Sequence, residues 1–228
     1  MRVQPGVVLD ELNAYLRPHG LFFAPDVSTS NRANIGGMLG NNSCGARSII
    51  YGKTIDHVLE LKVVLADGQT VVLGPVDEVT YAEKAAQDDL EGQIYRQVRN
   101  LARDNEAEIR RRFPFVMRRV SGYNLDEFVD ADRPFDLSKI AIGSEGTLCT
   151  VVEAKLKLEP LPAYKGLVAV HFADLIESLE ANITALETGP ASVELTDRLL
   201  LELTGASIEH APRRRFLQGD PEALLFVE

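Results

Sequence analysis

The sequence predicts a mixed α+β chain built on antiparallel pairing, and three observations carry that reading. Asp67-Gly68 stands between two apolar runs, residues 58–65 and 70–73, which is the pattern of a tight hairpin. Leu148, Thr150, Val152, Ala154, Leu156 and Leu158 alternate with Glu153, Lys155, Lys157 and Glu159, as in a half-buried antiparallel strand with one wet face. Around these runs, apolar residues recur at helical spacing.

Taken in order, Val7, Val8, Leu12, Tyr15 and Leu16 predict a helix after Pro5 that ends at Gly20. Residues 21–23 read as a short strand, followed by a long polar loop. After the hairpin, Ile94, Val98 and Leu101 mark an amphipathic helix that runs on into the charged stretch 104–112. Residues 140–142 read as a short buried strand, and the alternating strand follows. Pro160-Leu161-Pro162 breaks the pattern and predicts a domain junction. Beyond it come a strand at 167–172 and a helix capped by Asp174 with Leu175, Leu179, Ile183 and Leu186 on one face. A strand at 192–195, a helix at 197–204 and a strand at 223–227 complete the chain.

The 228 residues suffice for one large domain or two modest ones. A chain 45% hydrophobic and 25% charged is ordinary globular composition. The net charge of −10 argues against nucleic acid as a partner, since phosphate binding needs an excess of Lys and Arg. No apolar run approaches the roughly 18 residues of a membrane span, and the first residues lack a signal-peptide core. Two cysteines without motif spacing predict a reducing compartment, hence a cytoplasmic location, free or peripheral on the inner face of the membrane. The four histidines, His19, His57, His171 and His210, show no ligand spacing, so no metal is expected.

The chemistry concentrates in residues 25–52, PDVSTSNRANIGGMLGNNSCGARSIIYG, with Gly36, Gly37, Gly40, Gly45 and Gly52 among short polar side chains. A second pair, Gly143-Ser144-Glu145-Gly146, precedes the alternating strand. Glycine lets main chain approach a ligand closely, and exposed backbone amides bind phosphate oxygens. Ser28, Thr29, Ser30, Asn34, Asn41, Asn42 and Ser43 add short neutral donors, while Arg32 and Arg47 bring the local positive charge. Two such loops predict a backbone-lined slot for a large phosphorylated cofactor. Neither a P-loop string nor a Rossmann fingerprint is present.

These residues resemble the FAD-linked oxidases of the vanillyl-alcohol oxidase type. Residues 25–52 are similar to that family's P-x-x-x-S-x-x-x-T-I-G-G…N-A-G-G…Y-G segment, and GSEGTLCTVVE at 143–153 to its G-S-E-G-T-L-G-I-V-T-E signature. VVLADG at 63–68 and SGYNL at 121–125 match in order between them, the latter resembling T-G-Y-D-L of the D-2-hydroxyacid dehydrogenase branch. Asn34, Met38, Ser43-Cys44, Cys149 and Thr150 depart from the pattern by small changes.

The resemblance implies the second subdomain of a PCMH-type FAD-binding domain at residues 1–162, lacking its N-terminal subdomain. Residues 163–228 would be the truncated beginning of an α+β substrate domain. It implies FAD as cofactor, held by Pro25, Asp26, Ser28, Thr29, Ser30, Asn34, Ile35, Gly36, Gly37, Asn41, Asn42, Ser43, Gly45, Tyr51 and Gly52 from the first loop. The second loop would add Glu145, Gly146, Thr147, Leu148, Val151 and Val152. Gly36 and Gly37 would let backbone reach the diphosphate, and Glu145 and Gly146 would lie near the ribose and adenine. Arg118, Arg119 and Tyr123 are candidates for substrate contact, because arginine grips carboxylates with two parallel donors and the tyrosine could face the flavin.

The family's catalytic and metal-binding histidines have no counterpart in this sequence, so no catalytic residue is assigned. The complete enzyme would oxidise a small 2-hydroxy acid to a 2-oxo acid by hydride transfer to flavin. Electrons would pass to a quinone, cytochrome or flavoprotein, and long members continue into an iron–sulfur domain. Two alternatives stay open: another oxidase or reductase of the superfamily (aryl-alcohol, sugar or peptidoglycan-precursor), or a non-catalytic nucleotide-binding scaffold. Cys44 and Cys149 read as packing residues, and Arg110, Arg111, Arg112 and Arg213, Arg214, Arg215 as solvated surface.

Overall fold

A computed structural model describes residues 1–228 and divides them into two compact units, Met1–Gly45 with Tyr51–Leu161, and Ala46–Ile50 with Pro162–Glu228.

The elements of the first unit follow in chain order. They are β1 (Arg2–Val3), α1 (Leu9–Leu16), β2 (Leu21–Phe22), α2 (Ile35–Asn41), the turn α3 (Ser48–Tyr51), β3 (Val58–Val64), β4 (Thr70–Leu73) and β5 (Pro75–Val76). Then come α4 (Glu78–Ala85), α5 (Leu90–Asp104), α6 (Glu106–Arg112), β6 (Phe135–Asp136), α7 (Ser138–Ala141), β7 (Thr150–Leu156) and β8 (Glu159–Pro160). Of α3, Tyr51 alone belongs to this unit. The main sheet is antiparallel in the order β1-β7-β3-β4.

The Asp67-Gly68 hairpin forms as expected, with Gly68 at φ 88°. The predicted N-terminal helix ends at left-handed Gly20, but it buries Leu9, Leu12 and Leu16 and leaves Tyr15 on the wet side. The helix expected to run on through 104–112 is interrupted at Asn105, whose side chain donates back to the Leu101 carbonyl. Ile94 and Val98 pack on the core as expected, Tyr95 and Ala102 are buried, and Leu101 is exposed.

Two departures from simple alternation decide which side chains face the core. Lys62 pairs Glu153 but Val63 pairs Val151, so Val152 is an extra residue in β7. Val58 pairs Leu156 but Glu60 pairs Lys155, so Leu59 is extra in β3. Each such bulge shifts the side-chain parity by one. The core consequently takes Ala154 and Leu156 on one side of the bulge but Cys149 and Val151 on the other. In β3 it takes Val58 together with Leu61 and Val63. A second correction concerns residues 140–142. They lie at the end of a helical turn, α7, rather than in a strand, because Asp136 Oδ1 accepts the Ser138 amide at 2.9 Å and starts the turn.

The second unit carries the antiparallel sheet β10-β11-β9, with β9 (Val168–Phe172), α8 (Leu175–Glu187), β10 (Val193–Asp197), α9 (Arg198–Ala206) and β11 (Ala223–Val227). Asp174 caps α8 by accepting the Ile176 and Glu177 amides, as expected, and Asp197 caps α9 in the same way. The face of α8 bearing Leu175, Leu179, Ile183 and Leu186 is exposed, and Ser178 is the buried residue of that helix. Within this unit Arg47 grips Glu228 with two guanidinium nitrogens at 2.8 and 3.0 Å.

Candidate functional site

Every predicted cofactor residue lies in the first unit. The first loop is anchored at both ends. At its start the Asn13 side chain accepts the Phe23 amide and donates to the Phe23 carbonyl, burying Phe23, Ala24 and Pro25. At its end Nε2 of buried His57 donates to the Tyr51 carbonyl at 2.6 Å, and Tyr51 stacks edge-on against Phe22. Gly45 packs against Asp26, and Gly52 against Asp56.

Between these anchors Asn34 caps α2, its Oδ1 accepting the Gly37 amide at 2.8 Å. The Ile35 amide donates to Val7 O, the Gly36 amide to Pro5 O and the Met38 amide to Asn34 O. All four amides of the first helical turn are thus taken within the chain. The Gly36 and Gly37 amides are therefore not free to donate to a diphosphate, and any contribution of these glycines is close approach of the main chain. A Cβ on Gly36 would lie 2.7 Å from Pro5 Cβ, so glycine is needed there for packing. A Cβ on Gly37 would meet only Asn34 Oδ1, at 3.1 Å, and the residue is exposed. Ile35 is fully buried and belongs to the core rather than the slot.

Past α2 the chain turns through Asn42 at φ 51°, a left-handed position that asparagine tolerates. Asn42 Oδ1 accepts the Ile55 amide at 2.9 Å, which orients the side-chain amide. Its buried Nδ2 has no hydrogen-bond partner. Asn41 donates to the Ser43 hydroxyl, and the Ser43 carbonyl accepts both the amide and the hydroxyl of Thr54. Ser28, Thr29 and Ser30 sit in the turn before α2 with partly or fully exposed side chains.

The second loop docks on the end of α2. The Gly143 amide donates to Leu39 O at 2.9 Å and the Glu145 amide to Gly40 O at 3.0 Å. Three of its four residues are left-handed: Gly143 at 81°, Glu145 at 52° and Gly146 at 72°. The amides of Gly143, Ser144, Glu145 and Thr147 all donate within the chain, so the turned main chain is held internally. A Cβ on Gly146 would meet nothing within 4 Å, so the space before it is open. Glu145, Gly146, Thr147 and Leu148 are exposed, whereas Val151 packs on the core. Cys149, its thiol pushed up by burial, lines an apolar cavity of about 230 Å³ with Leu65, Val71, Ile94 and Val98.

The substrate candidates divide. Arg119 is committed internally: it pairs with Asp126 at 2.5 Å, donates to Asn124 and lies over the Phe113 ring at 4.8 Å. Arg118 is exposed. The Tyr123 hydroxyl lies 2.9 Å from Thr147 Oγ1, so it is tied to the second loop.

Sequence reasoning did not single out Asn124, which is 2% exposed. Its Nδ2 donates to Lys139 O at 3.0 Å and Ile142 O at 2.8 Å, holding the entry to the second loop. Its place inside SGYNL was the available signal. The roles of Pro5, Leu39 and Gly40 are contacts remote in sequence and left none.

The donor set suits a flavin dinucleotide in two respects: an unpartnered amide donor at Asn42 where the loops meet, and open space before a left-handed glycine. The comparisons agree. The family described as FAD binding domain matches residues 1–74. D-2-hydroxyglutarate dehydrogenase of Pseudomonas putida is 39% identical over 97% of this chain and 22% of its own length. The enzyme of that name from Pantoea ananatis is 38% identical over the same shares. The chain therefore spans about a fifth of these relatives. Among solved structures, alkyldihydroxyacetonephosphate synthase superposes with a TM-score of 0.62 at 17% identity, covering 99% of this chain and 34% of that one, a likeness of fold. Residues 1–74 thus match an FAD binding domain, and the chain is similar along nearly its whole length to part of the D-2-hydroxyglutarate dehydrogenases.

Proposed function

We propose that the first unit forms one wall of the FAD site in a dehydrogenase of D-2-hydroxy acids, and that residues 163–228 open its substrate domain. The observation that carries this reading is the docking of the two glycine loops through Gly143–Leu39 and Glu145–Gly40. It places Gly37, Asn41, Asn42, Glu145, Gly146 and Thr147 on adjoining backbone. In this reading the neutral donors of both loops orient the dinucleotide. The amides of α2 are satisfied internally, so Gly37 contributes close approach rather than a hydrogen bond. Arg118 is the candidate for the substrate carboxylate. Bound FAD supplies hydride acceptance, and the chain supplies position and electrostatics.

The substrate proposed first is D-2-hydroxyglutarate, from the names of the two relatives, with D-lactate and glycolate as the next candidates. The test is the visible spectrum of the purified chain after incubation with FAD and desalting, then dye reduction by each acid with the longest natural form of the protein. Retained flavin bands and reduction by a D-2-hydroxy acid are expected. A chain that stays colourless at saturating FAD, or a flavoprotein reduced by none of these acids, overturns the reading.

A further inference from the structure

We propose that Tyr123, with Asn124 behind it, is a positioning residue that acts on the second loop through Thr147; as a statement about cofactor binding, this rests on the FAD site proposed above. The chemistry of the contact fixes its direction. The Thr147 hydroxyl has one hydrogen, and it lies 2.6 Å from the Ser144 carbonyl, which can only accept. That hydrogen is committed, so in the 2.9 Å contact the Tyr123 phenol is the donor.

A directed chain therefore runs from Tyr123 O–H to Thr147 Oγ1 and on to Ser144 C=O. It closes across the most strained part of the loop, where Glu145 holds φ 52° without being glycine. The neighbouring Asn124 uses both hydrogens of its amide on Lys139 O and Ile142 O, and its Oδ1 accepts from Arg119, itself pinned by Asp126. Residues 123 and 124 thus hold the loop at its exit and its entry. The phenol oxygen donates its hydrogen to Thr147 and keeps its lone pairs, on a side chain 42% exposed, for a hydroxyl or amine of a bound nucleotide.

The experiment uses the full 228-residue chain as wild type, Tyr123→Phe, Thr147→Val and the double variant. Hydrogen exchange of residues 143–148, FAD titration and thermal unfolding are measured on each. One exposed hydrogen bond sets the scale: Tyr123→Phe should speed exchange in this loop and raise the FAD dissociation constant, each by about three- to tenfold, with the unfolding midpoint nearly unchanged. The effect should vanish in the Thr147→Val background, which a merely structural tyrosine would not do. Unchanged exchange at 143–148, or an equal Tyr123→Phe effect without the threonine hydroxyl, overturns the proposal. Faster exchange in a chain whose wild type takes no FAD upholds the linkage and overturns the FAD reading instead.

Discussion

The amide of Glu145 donates to the carbonyl of Gly40 at 3.0 Å, joining the second glycine loop to the last turn of the helix that the first loop begins. The final carbonyls of any helix lack internal partners. Here Leu39 O, which also takes the Asn42 amide, and Gly40 O accept from Gly143 and Glu145, so helix end and loop stabilise one another. The two segments proposed to hold the cofactor are one structural object, and a change in either should be felt in both.

The paired glycines of α2 separate packing from binding. Gly36→Ala places a methyl against Pro5 and should cost about 1–3 kcal/mol by overpacking. Gly37→Ala meets only Asn34 Oδ1, a tight contact offset by the better helix propensity of alanine, and stability should change by less than about 1 kcal/mol. If the exposed face of Gly37 is where FAD lies, that variant alone should fold normally and bind FAD more weakly. Urea midpoints and FAD titration on both variants read this; equal FAD affinity in Gly37→Ala and wild type would remove Gly37 from the site.

Glu145 holds a left-handed conformation that a non-glycine residue adopts at a cost of roughly 1 kcal/mol. Glu145→Gly should therefore leave stability equal or raise it by up to about 1 kcal/mol. The same change removes the carboxylate expected near the ribose, so FAD affinity should fall. A more stable chain with weaker FAD binding marks strain kept for function. A more stable chain with unchanged binding would make the glutamate a bystander.

Asn42 is the joint between α2 and the helical turn at residues 54–57 that leads into β3. Asn42→Ala deprives the buried Ile55 amide of its acceptor and puts a less tolerant residue at φ 51°. The expected loss is about 2–3 kcal/mol, read as a lowered unfolding midpoint.

How far the sequence revealed this arrangement depends on the range of each signal. Asp67-Gly68, Gly20 and the Asp174 cap are local, and each appears where the spacing predicts it. Glycine content marked both loops, yet it could not say why each glycine is there: Gly36 answers to Pro5, a neighbour through the fold. The bulges at Leu59 and Val152 were hidden because an apolar alternation reads the same with or without a slip, and only strand pairing reveals which face is buried. The turn at 138–141 looked like a strand because Ile140–Ala141–Ile142 is apolar, while the deciding residue was the carboxylate of Asp136 upstream. Arg119 looked available for a carboxylate substrate until Asp126, seven positions on, proved to hold it.

That carboxylate of Asp136 also gives a pH dependence with a definite sign. Asp136 is 6% exposed, and burial raises its folded-state pKa above the ordinary carboxylate value, partly countered by its hydrogen bond from Ser138 and by Lys139. The folded chain thus keeps this proton to higher pH than the unfolded chain, whose aspartate titrates near about 3.9. The contribution to stability is fully present below that value and is lost as pH rises through the folded-state pKa. Asp136→Asn keeps an oxygen for the Ser138 amide and carries no charge. It should therefore be at least as stable as wild type at pH 7, with an advantage that grows from about pH 4 upward and then levels off above the folded-state pKa. Urea midpoints of both chains from pH 4 to pH 8 measure it. A variant less stable than wild type at pH 7 would mean that the ionised carboxylate, through Lys139 and the start of α7, supports the approach to the second loop.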